Sequence, residues 1–146
     1  MRTVSSFGLD KEELKNIYFL FVRSVLEQSA TVWHSSLTQE NKDDLERVQK
    51  SAIRIIMGNE YKGYQKSLDK LDMETLDARR DSLCLNFALK TAKNPKMKKM
   101  FPLKHKHHVM QTRQPEKCDV QHENTERLKK SSIIYMQNLL NVHENK

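Results

Sequence analysis

An all-α fold is predicted for this chain of 146 residues. Three glycines and three prolines provide few of the tight turns that a many-stranded sheet requires. Apolar residues recur at alternating steps of three and four, which is the period of one helix face. Asp, Thr and Ser stand where such stretches begin, as helix caps do. These observations together predict a small helical bundle of three long helices plus short helices, with a loosely ordered basic C-terminal segment.

The first long helix is predicted to start after Asp10, with Glu13 placed to complete a capping box. Its pattern extends as far as Trp33. Phe19 and Leu20 lie off the main apolar stripe, so the helix is apolar around much of its circumference. The stripe itself consists of Leu14, Ile17, Tyr18, Phe21, Val22, Val25 and Leu26.

Thr38 is predicted to cap the second long helix, and Gly58 is placed to end it. A shorter helix is expected within residues 61–71, after a turn at Gly63. The apolar stripe of the second long helix consists of Leu45, Val48, Ala52, Ile55 and Ile56.

Thr75 is predicted to cap the third long helix, and Asn94-Pro95 to stop it, because the residue before proline avoids helical geometry. Its core-facing residues are expected to be Leu76, Leu83, Phe87 and Ala88. Cys84, near Leu83 and Phe87, is expected to be a buried, inert thiol. Trp33 is expected to be a packing residue. One of Arg79 and Arg80 is expected to snorkel or to pair with Asp72, Glu74 or Asp77, and the other to face solvent.

Beyond Pro102 strong apolar residues are few and the helical period is lost, which is typical of poorly ordered chain. Ser132 can cap a last short helix with Ile133, Met136, Leu139 and Leu140 on one side. The predicted organisation is therefore a helical bundle at 1–102, a basic poorly ordered segment at 103–130, and a terminal helix at 131–146 that docks on the bundle.

Composition sets the expected compartment. Apolar residues make up 37% and charged residues 31%, which predicts a modest core. Cys84 and Cys118 give no disulfide framework and suit a reducing compartment. No signal peptide is recognisable, and the most apolar run, 17–22, is too short to span a bilayer. We therefore expect an intracellular chain, in nucleus or cytoplasm, with no membrane partner.

Positive charge is concentrated in one segment. The net charge is +7; residues 1–89 hold 13 Lys/Arg against 14 Asp/Glu, whereas residues 90–130 hold 12 against 4. Such a segment suits a polyanion, RNA or DNA; the simpler alternative is a solvated tail that keeps the chain soluble. The predicted nucleic-acid-binding residues are Lys93, Lys96, Lys98, Lys99, Lys104, Lys106 and Arg113.

Lysine dominates this segment, and Phe101 is its one aromatic residue. Lysine contacts phosphates as a point charge, without bidentate readout of bases. Few aromatic residues allow little base stacking. The predicted binding is therefore non-specific and strongly dependent on salt.

No catalytic centre or cofactor site is predicted. Two-metal catalysis needs carboxylates that hold two Mg²⁺ ions about 3.5–4 Å apart. The adjacent pair Asp43-Asp44, preceded by Asn41, lies in a helical context. A solvated helix face explains this pair more simply. Three isolated glycines do not form a phosphate-cradling loop.

A zinc site is the metal-binding alternative. Cys118 and His122 have Cys-x₃-His spacing, and His105, His107 and His108 lie upstream. Four such side chains can bind Zn²⁺ tetrahedrally. One cysteine in place of two or three, with irregular histidine spacing, instead favours an exposed His-rich segment. The prediction is therefore that the chain binds no metal.

Short motifs occur in a fixed order along residues 6–141. They are Ser6-Phe7-Gly8-Leu9, Ile17-Tyr18, Val25-Leu26-Glu27, Val32-Trp33, Leu45-Glu46-x-x-Gln49-Lys50, Arg54-Ile55-Ile56, Tyr61 with Tyr64, Leu68-x-x-Leu71, Leu76-Asp77-Ala78-Arg79-Arg80, Thr125-Glu126-Arg127-Leu128, Ser131-Ser132-Ile133 and Leu139-Leu140-Asn141. In this order and spacing they resemble the region that follows the polymerase core in reverse transcriptases of non-LTR retrotransposons, the jockey-like and related elements. Gln28 and Thr31 depart from the tyrosine and proline of the family pattern.

The resemblance implies a thumb-adjacent helical piece of an RNA-directed DNA polymerase that lacks both the Asp-Asp metal site and the endonuclease. The expected function is non-catalytic, non-specific binding of RNA or DNA. One alternative is a helical protein-interaction module, in which Phe19 and Leu20 meet a missing polymerase domain or another protein. The other is an inert transposon remnant.

Overall fold

The computed structural model describes residues 8–97, 99, 101, 120 and 125–143. Within them every regular element is helical, which confirms the predicted all-α class. No described helix combines the length and the apolar character needed to cross a membrane. The α-helices are α1 (Lys11–Ile17), α2 (Ser24–Glu27), α3 (Ala30–Trp33), α4 (Gln39–Met57), α5 (Tyr64–Leu71), α6 (Leu76–Lys93), α7 (Glu126–Lys129) and α8 (Ser132–His143).

Helix ends form at most of the predicted positions. Asp10 makes both hydrogen bonds of a capping box with Glu13 at the start of α1. The Thr38 hydroxyl accepts a hydrogen bond from the Asn41 amide, 3.3 Å away, at the start of α4. Gly58 ends that helix with φ of +51°, a conformation that costs a side chain strain but glycine little. The Thr75 hydroxyl likewise accepts from the Ala78 amide at 3.3 Å.

The first helical run is shorter than predicted. A π-helical turn, Tyr18–Arg23, joins α1 to α2, and the run stops at Glu27. Ser29 has φ of +53°, which interrupts the helix before α3 begins. The predicted continuous helix to Trp33 is therefore wrong.

Contacts between Cα atoms divide the chain into two compact units. Within the described residues the first unit comprises 8–30 and 37–80, and the second comprises 31–36 and the residues from 81 onward. The predicted boundaries at 102 and 130 stay predictions, because most of 103–130 lies outside the described residues. Inside that range, Glu126–Lys129 forms α7.

The core of the first unit draws on three helices and the π-helical turn. Its buried members are Leu14, Tyr18, Ala52, Ile53, Ile56, Met57, Leu68 and Leu71. Phe19 and Val22 are half-buried against this cluster, whereas Phe21 and Val25 are exposed. The predicted stripe through Phe21 and Val25 is wrong, because the wider π-helical turn shifts which residues face inward after Tyr18.

The buried face of α4 is also shifted from the predicted stripe. Ala52 and Ile56 are buried as predicted, but Val48 is exposed, and Ile53 and Met57 are buried instead. A polar residue, Gln49, is buried one turn before Ile53. The prediction counted only apolar residues, so it did not include Gln49 in the buried face. As a result, the predicted face is rotated by about one residue from the observed one.

The core of the second unit combines α6, α8 and one residue that follows α6. Its buried members are Cys84, Ala88, Phe101, Met136 and Leu140. Phe87, predicted to face the core, is 38% exposed. In α8, Ser132 is the first helical residue rather than the residue before it. Ile134, not Ile133, is buried there.

Arg79 and Arg80 both take part in ion pairs of the first unit. Arg79 lies 3.4 Å from a Glu27 carboxylate oxygen and 3.5 Å from one of Glu74. Arg80 is fully buried, with Nη2 3.5 Å from a carboxylate oxygen of Asp77. Arg80 is thus the buried arginine beside an acid, and the Arg79 side chain, although it also pairs with acids, is 36% exposed.

Candidate nucleic-acid interface

Three of the predicted nucleic-acid-binding residues are described and exposed: Lys93, Lys96 and Lys99. Lys90, also exposed, precedes them in the same stretch. Four exposed lysines therefore follow one another along the end of α6 and the residues after it. The other predicted residues, Lys98, Lys104, Lys106 and Arg113, lie outside the described part of the chain.

The end of α6 favours cations. Lys90 and Lys93 occupy its last turn, where the partial negative charge of the helix C-terminus attracts ammonium groups. The helix stops at Lys93, next to Asn94-Pro95, because proline excludes helical geometry from the residue before it. These lysines are therefore compatible with a purely structural role as well as with phosphate contact.

A turn built around Asn94 carries Lys96. The Asn94 amide donates to the Thr91 carbonyl at 3.0 Å, and its side-chain oxygen accepts from the Lys96 amide at 3.0 Å. The Met97 amide donates to the Asn94 carbonyl at 3.1 Å. Since these bonds fix the backbone at 94–97, Lys96 projects from a defined turn.

Buried residues flank the lysines on both sides. Thr91 is 3% exposed and Phe101 is 2% exposed, the latter in the core with Cys84 and Leu140. The described lysines at 93, 96 and 99 therefore fall, along the sequence, between two buried residues, Thr91 and Phe101. Phe101, the one aromatic residue of the basic segment, is therefore a core residue.

The second unit is rich in positive charge. Its described residues contain seven Lys/Arg against two Asp/Glu, whereas those of the first unit contain twelve against thirteen. One of the seven, Lys129, pairs with Glu126 at 2.6 Å. An excess of this kind attracts phosphate-bearing polymers and repels other cations.

In the first unit, acids and bases form pairs. Glu60 bridges Lys11 and Lys70, and these hydrogen bonds lower the pKa of Glu60 to about 2. Lys42 lies 3.1 Å from Asp77. Asp43 and Asp44, the acidic pair considered for metal binding, sit exposed in α4 and accept hydrogen bonds from Gln39 and Arg47.

In the part of the chain that the structure describes, no group of three or more His, Cys, Asp or Glu side chains is arranged so that it could hold a metal ion. The zinc candidates His105, His107, His108, Cys118 and His122 lie outside the described residues.

Sequence reasoning missed a buried polar network in the first unit. Tyr18 donates to Gln49 Oε1 at 2.7 Å, and Gln49 Nε2 donates to the Tyr64 hydroxyl at 3.0 Å and to the Glu74 carbonyl at 2.9 Å. Tyr64 in turn donates to Glu46, whose other carboxylate oxygen accepts from the Leu76 amide at 3.2 Å. The signal that was available is Gln49, a polar residue three and four positions before Ala52 and Ile53.

A second polar cluster, also missed, fastens the second unit. His34 is 1% exposed, and its Nε2 lies 2.7 Å from Asp81 Oδ1. The Tyr135 hydroxyl donates to the same carboxylate oxygen, and the His34 and Tyr135 rings meet edge to face at 5.8 Å. The cluster joins the 3-10 turn His34–Ser36 to α6 and α8. Its residues are 47 and 54 positions apart in sequence, so no local motif announces it.

In comparisons with known proteins, no family model, no curated protein and no solved structure matches this chain.

Proposed function

We propose that this chain is a non-catalytic helical piece related to the region after the polymerase core of non-LTR reverse transcriptases, and that it binds RNA or DNA non-specifically through phosphate contacts. The relationship rests on the order and spacing of its sequence motifs. The binding rests on the lysines that follow one another from α6 into the turn at Asn94. No catalytic role is proposed.

One observation carries the binding proposal. Exposed lysines at 93, 96 and 99 fall between two buried residues, Thr91 and Phe101, with exposed Lys90 just before them, in a unit with seven Lys/Arg against two Asp/Glu over its described residues. A solvated tail needs no such anchoring. Ammonium groups held along a short path suit the repeating phosphates of a strand, which need charge and position but no base readout.

The test is a comparison of two triple variants, each of which removes three positive charges. The first is Lys93→Gln/Lys96→Gln/Lys99→Gln, and its control in the first unit is Lys62→Gln/Lys66→Gln/Lys70→Gln. Fluorescence anisotropy with single-stranded RNA at fixed low salt measures affinity. We expect the first to weaken binding on the order of tenfold and the control far less, because local phosphate contacts are lost only in the first.

Equal weakening by the two variants would mean that net charge alone drives binding, which would contradict a site at the end of α6. Circular dichroism of both variants checks that the helices persist. All six lysines are exposed, so the fold should tolerate the changes.

A second candidate function, a protein-interaction module, has one observation in its favour. Leu20, Phe21 and Val25 are 68%, 70% and 66% exposed along the π-helical turn and α2. The predicted contact residue Phe19 is instead half-buried, with the Arg23 guanidinium carbon 3.9 Å from its ring centre. The candidate partner face is therefore Leu20, Phe21 and Val25. The partner proposed is a polymerase domain or another protein.

The variant Phe21→Ser/Val25→Ser separates the two functions. If the face joins copies of the chain or binds a polymerase domain, sedimentation should show a smaller species or a lost complex. RNA affinity should not change. The single variant Val142→Ser, at a residue 60% exposed in α8, serves as a control for the loss of an exposed apolar side chain.

A further inference from the structure

A surface groove of about 580 Å³ lies within the second unit. It opens between the end of α3 with the turn after it, on one side, and the corner from α7 to α8, on the other. Its lining residues are Val32, Ser36, Thr125, Arg127, Leu128, Lys130, Ser131 and Ser132.

Direct contacts hold the two sides of the groove in place. The Ser35 hydroxyl donates to the Lys130 carbonyl at 2.8 Å. The neighbouring residue His34 lies against Asp81 and Tyr135, the latter in α8. The corner itself is closed by the Ser131 amide, which donates to the Leu128 carbonyl at 2.9 Å. The groove is thus formed by elements that the polar cluster ties together.

The lining has the chemistry of an anion site with an apolar side. Of the eight described residues that line the groove, two are cationic, four carry hydroxyls, two are aliphatic and none is acidic. Arg127 can grip a phosphate with a planar fork, and Lys130 adds a point charge. The hydroxyls at 125, 131 and 132 can donate to phosphate or sugar oxygens, whereas the Ser36 hydroxyl already donates to the Trp33 carbonyl at 2.8 Å.

The start of α8 adds to this charge. The helix has 12 residues and begins at Ser132, inside the groove lining. The first amides of a helix have no acceptor within it, and they carry partial positive charge. Together with the two cations and the hydroxyls, these amides make one end of the groove electropositive, which favours binding of a phosphate.

We propose that this groove binds one nucleotide unit of a nucleic-acid strand through its phosphate. Arg127, Lys130 and the first turn of α8 hold the phosphate, while the sugar and base lie along Val32 and Leu128. The volume is within the range of small-ligand pockets. This inference rests on the proposed binding of RNA or DNA, and it adds a second contact point to the lysines of α6.

A phosphate ligand fits the groove better than an acidic peptide does. A peptide groove presents apolar pockets along its length, whereas this one has two aliphatic side chains and four hydroxyls. An acidic peptide would also be attracted by the lysines of this unit, so the experiment below includes one as a competing ligand.

The experiment titrates the ¹⁵N-labelled full chain with adenosine 5′-monophosphate, and in parallel with adenosine. We expect the monophosphate to shift the Ser131 and Ser132 amide signals and to saturate them, and adenosine to leave them in place. Arg127→Gln/Lys130→Gln should weaken this binding on the order of tenfold. The charge-matched control Lys62→Gln/Lys66→Gln should bind the monophosphate as the wild type does.

Absence of shifts with the monophosphate, or shifts that Arg127→Gln/Lys130→Gln leaves unchanged, would overturn the groove site. If RNA binding persists in that case, the lysine interface stands alone. If the wild-type chain does not bind RNA even at low salt, the proposed function itself is overturned. Tighter binding of a polyglutamate peptide than of the monophosphate would also contradict the proposal. Unchanged amide signals from residues 84–91 of α6 show that the second unit of Arg127→Gln/Lys130→Gln is folded, and unchanged α4 amide signals show the same for the first unit of the control.

Discussion

The two units of this chain use charged residues in different ways. In the first unit, acids and bases are nearly equal in number, and several meet in pairs such as Lys42 with Asp77. In the second, cations exceed acids by seven to two over the described residues. Charged side chains therefore pair with one another in the first unit, and in the second unit we propose that the excess cations contact phosphates.

Buried polar groups differ in the same way. The first unit closes Tyr18, Gln49 and Tyr64 into a network that ends on Glu46 and backbone groups. The second uses one compact cluster, His34 with Asp81 and Tyr135, to fasten three elements. We therefore expect substitutions in the interior of the first unit to change its stability, and substitutions on the surface of the second unit to change the proposed binding.

The largest expected effect on stability comes from truncating Phe101, the buried residue that follows the lysines. Phe101→Ala should lower the free energy of unfolding by about 3–5 kcal/mol, because a buried aromatic ring is replaced by a cavity. Urea unfolding measures this. The control is Phe87→Ala, at a residue 38% exposed in α6, which should cost far less. Similar costs for the two variants would show that Phe101 is not a core residue.

Next in size is the polar network of the first unit. Gln49→Leu leaves the Tyr18 and Tyr64 hydroxyls and the Glu74 carbonyl without their partner, and it should cost about 2–3 kcal/mol of unfolding free energy. Gln65→Leu, at an exposed position in α5, is the matched control and should be close to neutral. RNA affinity of the folded Gln49→Leu protein should equal that of the wild type. A loss of affinity would break the separation between the two units.

A smaller effect concerns alkaline pH. Burial raises the pKa of Tyr18, and burial with the hydrogen bond to Glu46 raises that of Tyr64. A raised pKa means that the folded state favours the neutral phenol. This stability is fully present below the ordinary tyrosine pKa of about 10 and is lost as pH rises above it.

Tyr18→Phe should therefore flatten the loss of stability above pH of about 10, while costing about 1–2 kcal/mol at neutral pH through the lost hydrogen bond to Gln49. Urea unfolding at several pH values measures both. A variant whose stability falls with pH as steeply as the wild type's would mean that Tyr18 does not contribute to the alkaline dependence.

The smallest effect is expected at Glu60. Because Lys11 and Lys70 lower its pKa to about 2, its contribution is present above its ordinary pKa and is lost as pH falls towards 2. Glu60 is exposed, and solvent screens the pairs. Glu60→Gln should slightly reduce the acid dependence of thermal unfolding and leave RNA binding unchanged. An acid profile identical to that of the wild type would show that the bridge contributes nothing to stability.

Sequence periodicity located the helices better than their faces. The caps at Asp10, Thr38 and Thr75 and the stop at Asn94-Pro95 are local signals, and the structure has them where they were predicted. The buried faces depended on long-range partners. Gln49 is buried because Tyr18 and Tyr64 meet it there, and the π-helical turn changed the phase after Tyr18.

In the candidate site, too, the features that depend on local sequence could be predicted and those that depend on long-range packing could not. The lysines at 93, 96 and 99 could be found from composition, because charge clusters are visible in sequence. The anchor at Phe101 and the groove beside Arg127 could not, since each needs residues far apart in the chain to pack together. Hydroxyl-rich corners such as Ser131-Ser132 are common and carry no signal by themselves.

The most direct measurement of the central claim is a salt titration of wild-type binding to single-stranded RNA, read by fluorescence anisotropy. If the second unit contacts phosphates, the logarithm of the affinity should fall linearly with the logarithm of salt concentration, by about 0.7 per phosphate contact on a single strand. A slope of about −2 to −4 would fit the lysines of α6 and the turn after it. No binding at low salt, or an affinity independent of salt, would contradict the account.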